Sequence, residues 1–178
     1  MRESIKSVLI SKAEIEKKVA ELGARITEEY RGKELLMVCI LRGASVFFCD
    51  LIRKIDLPLS IDFMSISSYG SGTRSSGEVK INKDLDKRIE GKHVIIVEDI
   101  VDSGYTLTYL KGVLAARQPA SLKICTLLDK PSRREVPLEP DYVGFSVPNE
   151  FVVGYGLDYA EKFRNLDEVC VLSPKVYS

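Results

Sequence analysis

Residues 94–107 read VIIVEDIVDSGYTL, and this stretch decides the fold class. Val94, Ile95, Ile96 and Val97 are apolar with no polar residue in alternation, so the strand they form is predicted to be buried on both faces. That is the pattern of a central strand in a parallel sheet. The strand is predicted to stop at Glu98 and Asp99, and in open α/β sheets ligands bind beyond the carboxyl ends of the strands. After Ile100 and Val101 the chain runs through Asp102, Ser103, Gly104, Tyr105 and Thr106. It then enters Leu107, Leu110, Val113 and Leu114, apolar at helical spacing. The loop thus feeds a helix N-terminus, whose unpaired N–H groups and partial positive charge favour an anion. Gly104 lets the backbone come close, and the Ser103 and Thr106 hydroxyls add donors. A phosphate monoester suits such a loop. The two carboxylates beside it suit hydroxyl groups or Mg²⁺, so strand, loop and helix together have the parts to grip a ribose 5-phosphate. Taken singly, acidic strand ends and Asp/Ser caps are ordinary features of α/β proteins; the ordered run is what is specific.

Working outward towards the N-terminus, Ser11 and Glu14 form a capping box, followed by Ile15, Val19, Leu22 and Ile26 on one face of a helix. Residues 35–41 (LLMVCIL) read as a second doubly buried strand. It ends in Arg42-Gly43-Ala44-Ser45, which is either a plain β–α turn with a solvated arginine or a pyrophosphate-holding turn; Val46, Phe47, Leu51 and Ile55 then mark a helix. Residues 60–67 alternate as a strand and lead into a Gly/Ser-rich loop, 68–77, with a short strand expected at 79–81.

On the other side, Gln118-Pro119 closes the helix, and residues 121–128 give a strand ending in Asp129-Lys130-Pro131. A lone lysine there is ordinarily solvated. Residues 132–140 are a polar, proline-bounded excursion, and strands are predicted at 141–147 and 168–172. Between these last two, Phe151 reads as core, Gly154-x-Gly156 as a turn and Arg164 as surface. The single histidine, His93, enters the central strand opposite its acidic end, so no catalytic role is assigned to it.

The chain of 178 residues suits one domain, 1–178, with a sizeable core. Twenty-six basic against 26 acidic residues give no net charge, which argues against an electrostatically driven nucleic-acid or membrane binder. Cys39, Cys49, Cys125 and Cys170 lack C-x-x-C spacing and sit among apolar residues; buried free thiols and a cytoplasmic location are expected. No signal peptide or membrane-spanning run is expected, and no Walker A sequence accompanies the acidic strand end.

The run Glu98-Asp99-x-x-Asp102-Ser103-Gly104-x-Thr106 resembles the PRPP-binding motif of the type I phosphoribosyltransferases. The resemblance extends from about residue 35 to the C-terminus, in four motifs in family order, and is nearest to the members that act on 6-oxopurines. It implies a mainly parallel sheet with helices on both faces and a small hood built from terminal segments. The implied reaction is purine salvage: Mg²⁺-dependent transfer of the 5-phosphoribosyl group from PRPP to hypoxanthine or guanine, giving IMP or GMP and pyrophosphate. Leu41, Arg42 and Gly43 would form the pyrophosphate turn, with a non-proline cis peptide between Leu41 and Arg42, and Arg164 would meet the same group. Glu98, Asp99, Asp102, Ser103, Gly104, Tyr105 and Thr106 would hold PRPP, with Asp102 as the catalytic base. Lys130 would donate to the 6-oxo group, Phe151 would stack on the base and the Val152 backbone would read its edge. Asp158, with Glu98 and Asp99, would help hold Mg²⁺, and Ser68 and Tyr69 would belong to a lid. Relatives commonly form homodimers or homotetramers.

Two departures are visible: Tyr105 fills a position that is often basic, and Asn149 stands where aspartate is frequent. A PRPP-sensing regulatory protein that binds nucleic acid is the alternative, and zero net charge speaks against it. A phosphoacceptor receiver would need its acidic pair near the first strand, where Leu41-Arg42 stands instead.

Overall fold

Local chemistry orders the elements of the computed structural model, which describes residues 2–68 and 79–177. In chain order they are β1 (Ile5–Ile10), α1 (Lys12–Glu29), β2 (Leu35–Leu41), α2 (Ser45–Ile52), β3 (Leu59–Ser68) and β4 (Val79–Lys83). There follow β5 (His93–Val101), α3 (Tyr105–Ala115), β6 (Ser121–Asp129), β7 (Tyr142–Ser146), β8 (Val152–Val153) and β9 (Val169–Leu172). The start of α1 is the expected capping box: Glu14 N–H donates to Ser11 Oγ at 3.3 Å, and Ser11 N–H to Glu14 Oε2 at 2.8 Å.

Six strands form one sheet in the order β4-β3-β2-β5-β6-β7, all parallel except the edge strand β4. From β2 the chain steps one way to β3, then returns to place β5 on the other side of β2. The strand order therefore reverses between β2 and β5, where a crevice opens at the carboxyl ends. Because crossovers keep one hand, this reversal also puts the helices on opposite faces. Leu35, Met37, Cys39, Ile95 and Val97 pack with α1 and α2, whereas Leu36, Val38, Ile40, Val94 and Ile96 pack with α3. Each such side chain contributes about 1.5–3 kcal/mol on burial, which explains why both strands read as unbroken apolar runs.

The central strand is longer than expected. Glu98 and Asp99 do not end β5, because Glu98, Ile100 and Val101 go on pairing with Thr126, Leu128 and Asp129 of β6. Pairing with β2 stops at Cys39 and Val97, so the two strands part there and the acidic pair falls in the gap.

A second, antiparallel sheet has the order β1-β9-β8. Strand β1 was not anticipated: along IKSVLI only Ile10 is buried, so its apolar pattern is weak, and its place comes from pairing with the fully buried β9. Residues 132–140 also prove more than a polar excursion, since Val136 and Leu138 pack on the α3 side of the core. All four cysteines are free; Cys39, Cys125 and Cys170 are buried, but Cys49 is exposed. Among the described residues, no helix is long and apolar enough to cross a membrane. Of the expected lid, Ser68 ends β3, while Tyr69 and the rest of the loop lie outside the described residues.

Candidate active site

At the β2/β5 crevice the Leu41–Arg42 peptide is cis, as the resemblance implied. Gly156, at φ +101°, packs against the turn: a Cβ there would lie 2.1 Å from the Gly43 carbonyl oxygen. Opposite, Asp99 Oδ1 accepts from the Ile100 N–H at 2.7 Å. Desolvation, and then the neighbouring charge of Asp99, push the Glu98 carboxyl well above its ordinary range. Asp99 is raised as well, because its desolvation outweighs the Ile100 N–H and the nearby Arg164.

The loop after β5 turns at Gly104, whose φ of +91° lies in the left-handed region that favours glycine, and α3 begins at Tyr105. No side chain caps this helix, and its first turn borders a cavity of about 210 Å³ lined by Glu98, Asp102, Ser103, Gly104 and Thr106. Tyr105 is 39% exposed and does not line it. Arg134 clamps the loop from outside. Its guanidinium donates to the carbonyls of Asp102 and Leu138, each at 2.9 Å, and pairs with Asp129, while Glu135 N–H donates to the Ser103 carbonyl at 3.0 Å. Arg133 Nε donates to Asp102 Oδ1 at 3.0 Å. Sequence reasoning missed both arginines; the only signal was an Arg-Arg pair within an otherwise polar segment.

A second cavity, of about 520 Å³, is lined by Asp99, Asp102, Lys130, Phe151, Val152 and Asp158 among others. Two expectations drawn from the residues alone fail here. Lys130 is not solvated but 7% exposed, with Nζ donating to the Glu150 carbonyl at 2.7 Å, and desolvation lowers its pKa. Phe151 is not core but 39% exposed, at the cavity wall. Val152 is buried in β8.

Arg42 and Arg164 are brought together by a residue not singled out beforehand. Glu161 Oε2 lies 2.9 Å from Arg42 Nη1 and 3.5 Å from Arg164 Nη2. Its spacing of three residues from both Asp158 and Arg164 was the available clue. Arg164 is no plain surface residue, since it also donates to the Gly156 carbonyl at 2.8 Å and pairs with Asp158 Oδ1 at 2.9 Å.

The expected metal residues fit a divalent cation in part. Glu98 and Asp99 supply the hard oxygen donors that Mg²⁺ prefers, but they line separate cavities, Glu98 the smaller and Asp99 the larger. Asp158 lines the same cavity as Asp99, but its oxygens are engaged by Arg164 and by the Glu161 N–H at 2.9 Å. Among the described residues, no three His, Cys, Asp or Glu side chains converge as a ready-made metal cluster.

Residues 8–160 match the model of the phosphoribosyl transferase domain. The chain is 55% identical over 177 residues to the hypoxanthine-guanine phosphoribosyltransferase of Bacillus subtilis, covering 99% of this chain and 98% of that protein. It is also 55% identical over 178 residues to the bifunctional protein TilS/HprT of Listeria innocua, and spans only 28% of that protein's length. A crystal structure of a hypoxanthine phosphoribosyltransferase from Staphylococcus aureus superposes with a TM-score of 0.97 at 51% identity, covering 100% of this chain and 97% of that one. With its domain match taking in the crevice, the loop before α3 and the wall that carries Phe151, the chain belongs to the phosphoribosyltransferase family.

Proposed function

We propose that this chain transfers the 5-phosphoribosyl group from PRPP to hypoxanthine or guanine, forming IMP or GMP and releasing pyrophosphate. One observation carries the reading. A buried lysine and an exposed phenyl ring share a cavity with Asp99 and Asp102 at the carboxyl ends of β5 and β6. An apolar face to stack on, a donor for an oxo group and a carboxylate within one cavity suit a 6-oxopurine. The adjoining helix N-terminus suits the 5-phosphate.

In this reading purine N9 attacks the anomeric carbon as pyrophosphate leaves, building positive charge on the ribose and negative charge on the departing group. Asp102 takes the proton from purine N7. Glu98 and Asp99 orient the ribose hydroxyls, and Arg42 and Arg164 receive the pyrophosphate in exchange for Glu161. Glu98, Asp99 and Asp158 would help hold Mg²⁺. Counter-charge for the leaving pyrophosphate is what the bound ion supplies. The three-stranded sheet acts as the hood of a single domain. The protein works in the cytoplasm as a homodimer or homotetramer, with no nucleic-acid or membrane partner.

Pyrophosphate release from PRPP and Mg²⁺, with hypoxanthine, guanine, xanthine and adenine offered separately, tests this. Turnover with 6-oxopurines but not adenine is expected. Release with none, despite measurable PRPP binding, refutes the reading in favour of a PRPP-sensing regulator.

A further inference from the structure

Phe151 lines the larger cavity, but two aromatic rings that pack on it do not. Tyr177 stacks on Phe151 with centroids 5.1 Å apart and planes at 28°, and Tyr159 meets it edge-on at 5.5 Å and 88°. Neither tyrosine is among the residues that line the cavity, so both brace the phenyl ring from outside. Bracing matters because an exposed phenyl keeps its rotamer freedom unless neighbours remove it, and ordering it on binding would cost affinity.

The brace is itself anchored. Tyr177 N–H donates to the Pro174 carbonyl at 3.2 Å, and Val176 packs against the buried Val153, Phe163 and Leu172. The Val176 carbonyl accepts from the Tyr159 hydroxyl at 3.4 Å. On the other side of the contact, Leu172 N–H donates to the Phe151 carbonyl at 2.8 Å. Phe151 and Tyr177 are thus both fixed to the three-stranded sheet, and their stacking closes a loop of contacts.

We propose that Tyr177 is a positioning residue for the purine: it holds the Phe151 ring in the plane on which the base stacks, forming the outer layer of a tyrosine–phenylalanine–purine sandwich. The inference rests on the purine reading of the cavity. Tyr177 lines neither that cavity nor the phosphate cavity beside α3, so its influence reaches the base through Phe151 and does not reach PRPP.

Steady-state kinetics on the full 178-residue chain, with Tyr177→Ala and Tyr177→Phe, provide the test, together with IMP affinity by equilibrium dialysis. Tyr177→Ala is expected to raise the KM for hypoxanthine and the Kd for IMP by about 2- to 10-fold, the range set by a lost aromatic pair. KM for PRPP stays at the wild-type value, the melting temperature falls by no more than about 2–4 °C, the effect of one lost aromatic pair, and Tyr177→Phe, which keeps the ring, behaves as wild type. Unchanged hypoxanthine KM and IMP affinity in Tyr177→Ala overturn the proposal. So does a parallel rise in both KM values with a larger fall in melting temperature, which would mark Tyr177 as mere packing. Wild-type protein that turns over no 6-oxopurine defeats the purine reading itself, and the two failures are thereby told apart.

Discussion

Asp99 Oδ2 occupies the space beside Gly43: a Cβ added to that glycine would lie 1.7 Å from the carboxylate oxygen. The turn after β2 and the acidic pair of β5 are therefore in direct contact, and a methyl group at residue 43 must displace one of them. An error of about 1 Å in a reacting geometry costs on the order of 10²-fold. Gly43→Ala is accordingly expected to lower kcat/KM for PRPP by about that factor while circular dichroism still shows the native fold. Wild-type kinetics in this variant would show that the contact has no bearing on turnover.

Asp102 is held on two sides, by Arg133 at its carboxylate and by Arg134 at its carbonyl. If it is the base, Asp102→Asn removes proton acceptance but preserves shape, and kcat should fall roughly 10²- to 10⁴-fold with PRPP affinity largely intact. An unchanged kcat ends the assignment.

What could be read beforehand follows from physics that acts locally. The β2 run, the capping box at Ser11 and the Gly104 turn each state their structure within a few residues and stand where expected, as does the apolar start of β5. What was misread depends on distant partners. Strand β1 exists because β9 needs a neighbour, Lys130 is buried because the chain around Glu150 folds over it, and β5 outlasts Glu98 because β6 keeps pairing. Glu161 and Arg133 likewise acquire meaning only when residues 119 and 31 positions away are brought beside them.

The position of Lys130 has a measurable consequence. Its amine is desolvated and satisfied by one backbone carbonyl, so it retains donors for an oxo group entering the cavity. Lys130→Ala should weaken hypoxanthine and guanine binding by about 1–3 kcal/mol, the cost of leaving a buried acceptor unmet, with PRPP affinity unaltered. Calorimetric titration of both bases would decide it, and equal affinity in variant and wild type would refute the contact.

Glu29 offers a prediction about stability in place of catalysis. From the end of α1 its carboxylate accepts from Lys123 on β6 and from the Tyr142 hydroxyl on β7, tying a helix to two strands. Lys123 first, then Tyr142, lower its pKa from the ordinary 4.5. A carboxyl whose folded pKa is depressed contributes stability that is fully present above the unfolded value and is lost as pH falls through the folded one. The side chain is 34% exposed, so solvent screening trims the contribution to about 1 kcal/mol. Glu29→Gln should therefore melt about 2–4 °C below wild type at neutral pH. The gap should close as pH falls from 4.5 through the lowered folded value, where the wild-type carboxylate is itself protonated. Molar salt should narrow it at neutral pH as well, because part of the attraction is screened. A melting difference of the same size above and below that window would mean that Glu29 acts through shape alone and that its charge contributes nothing.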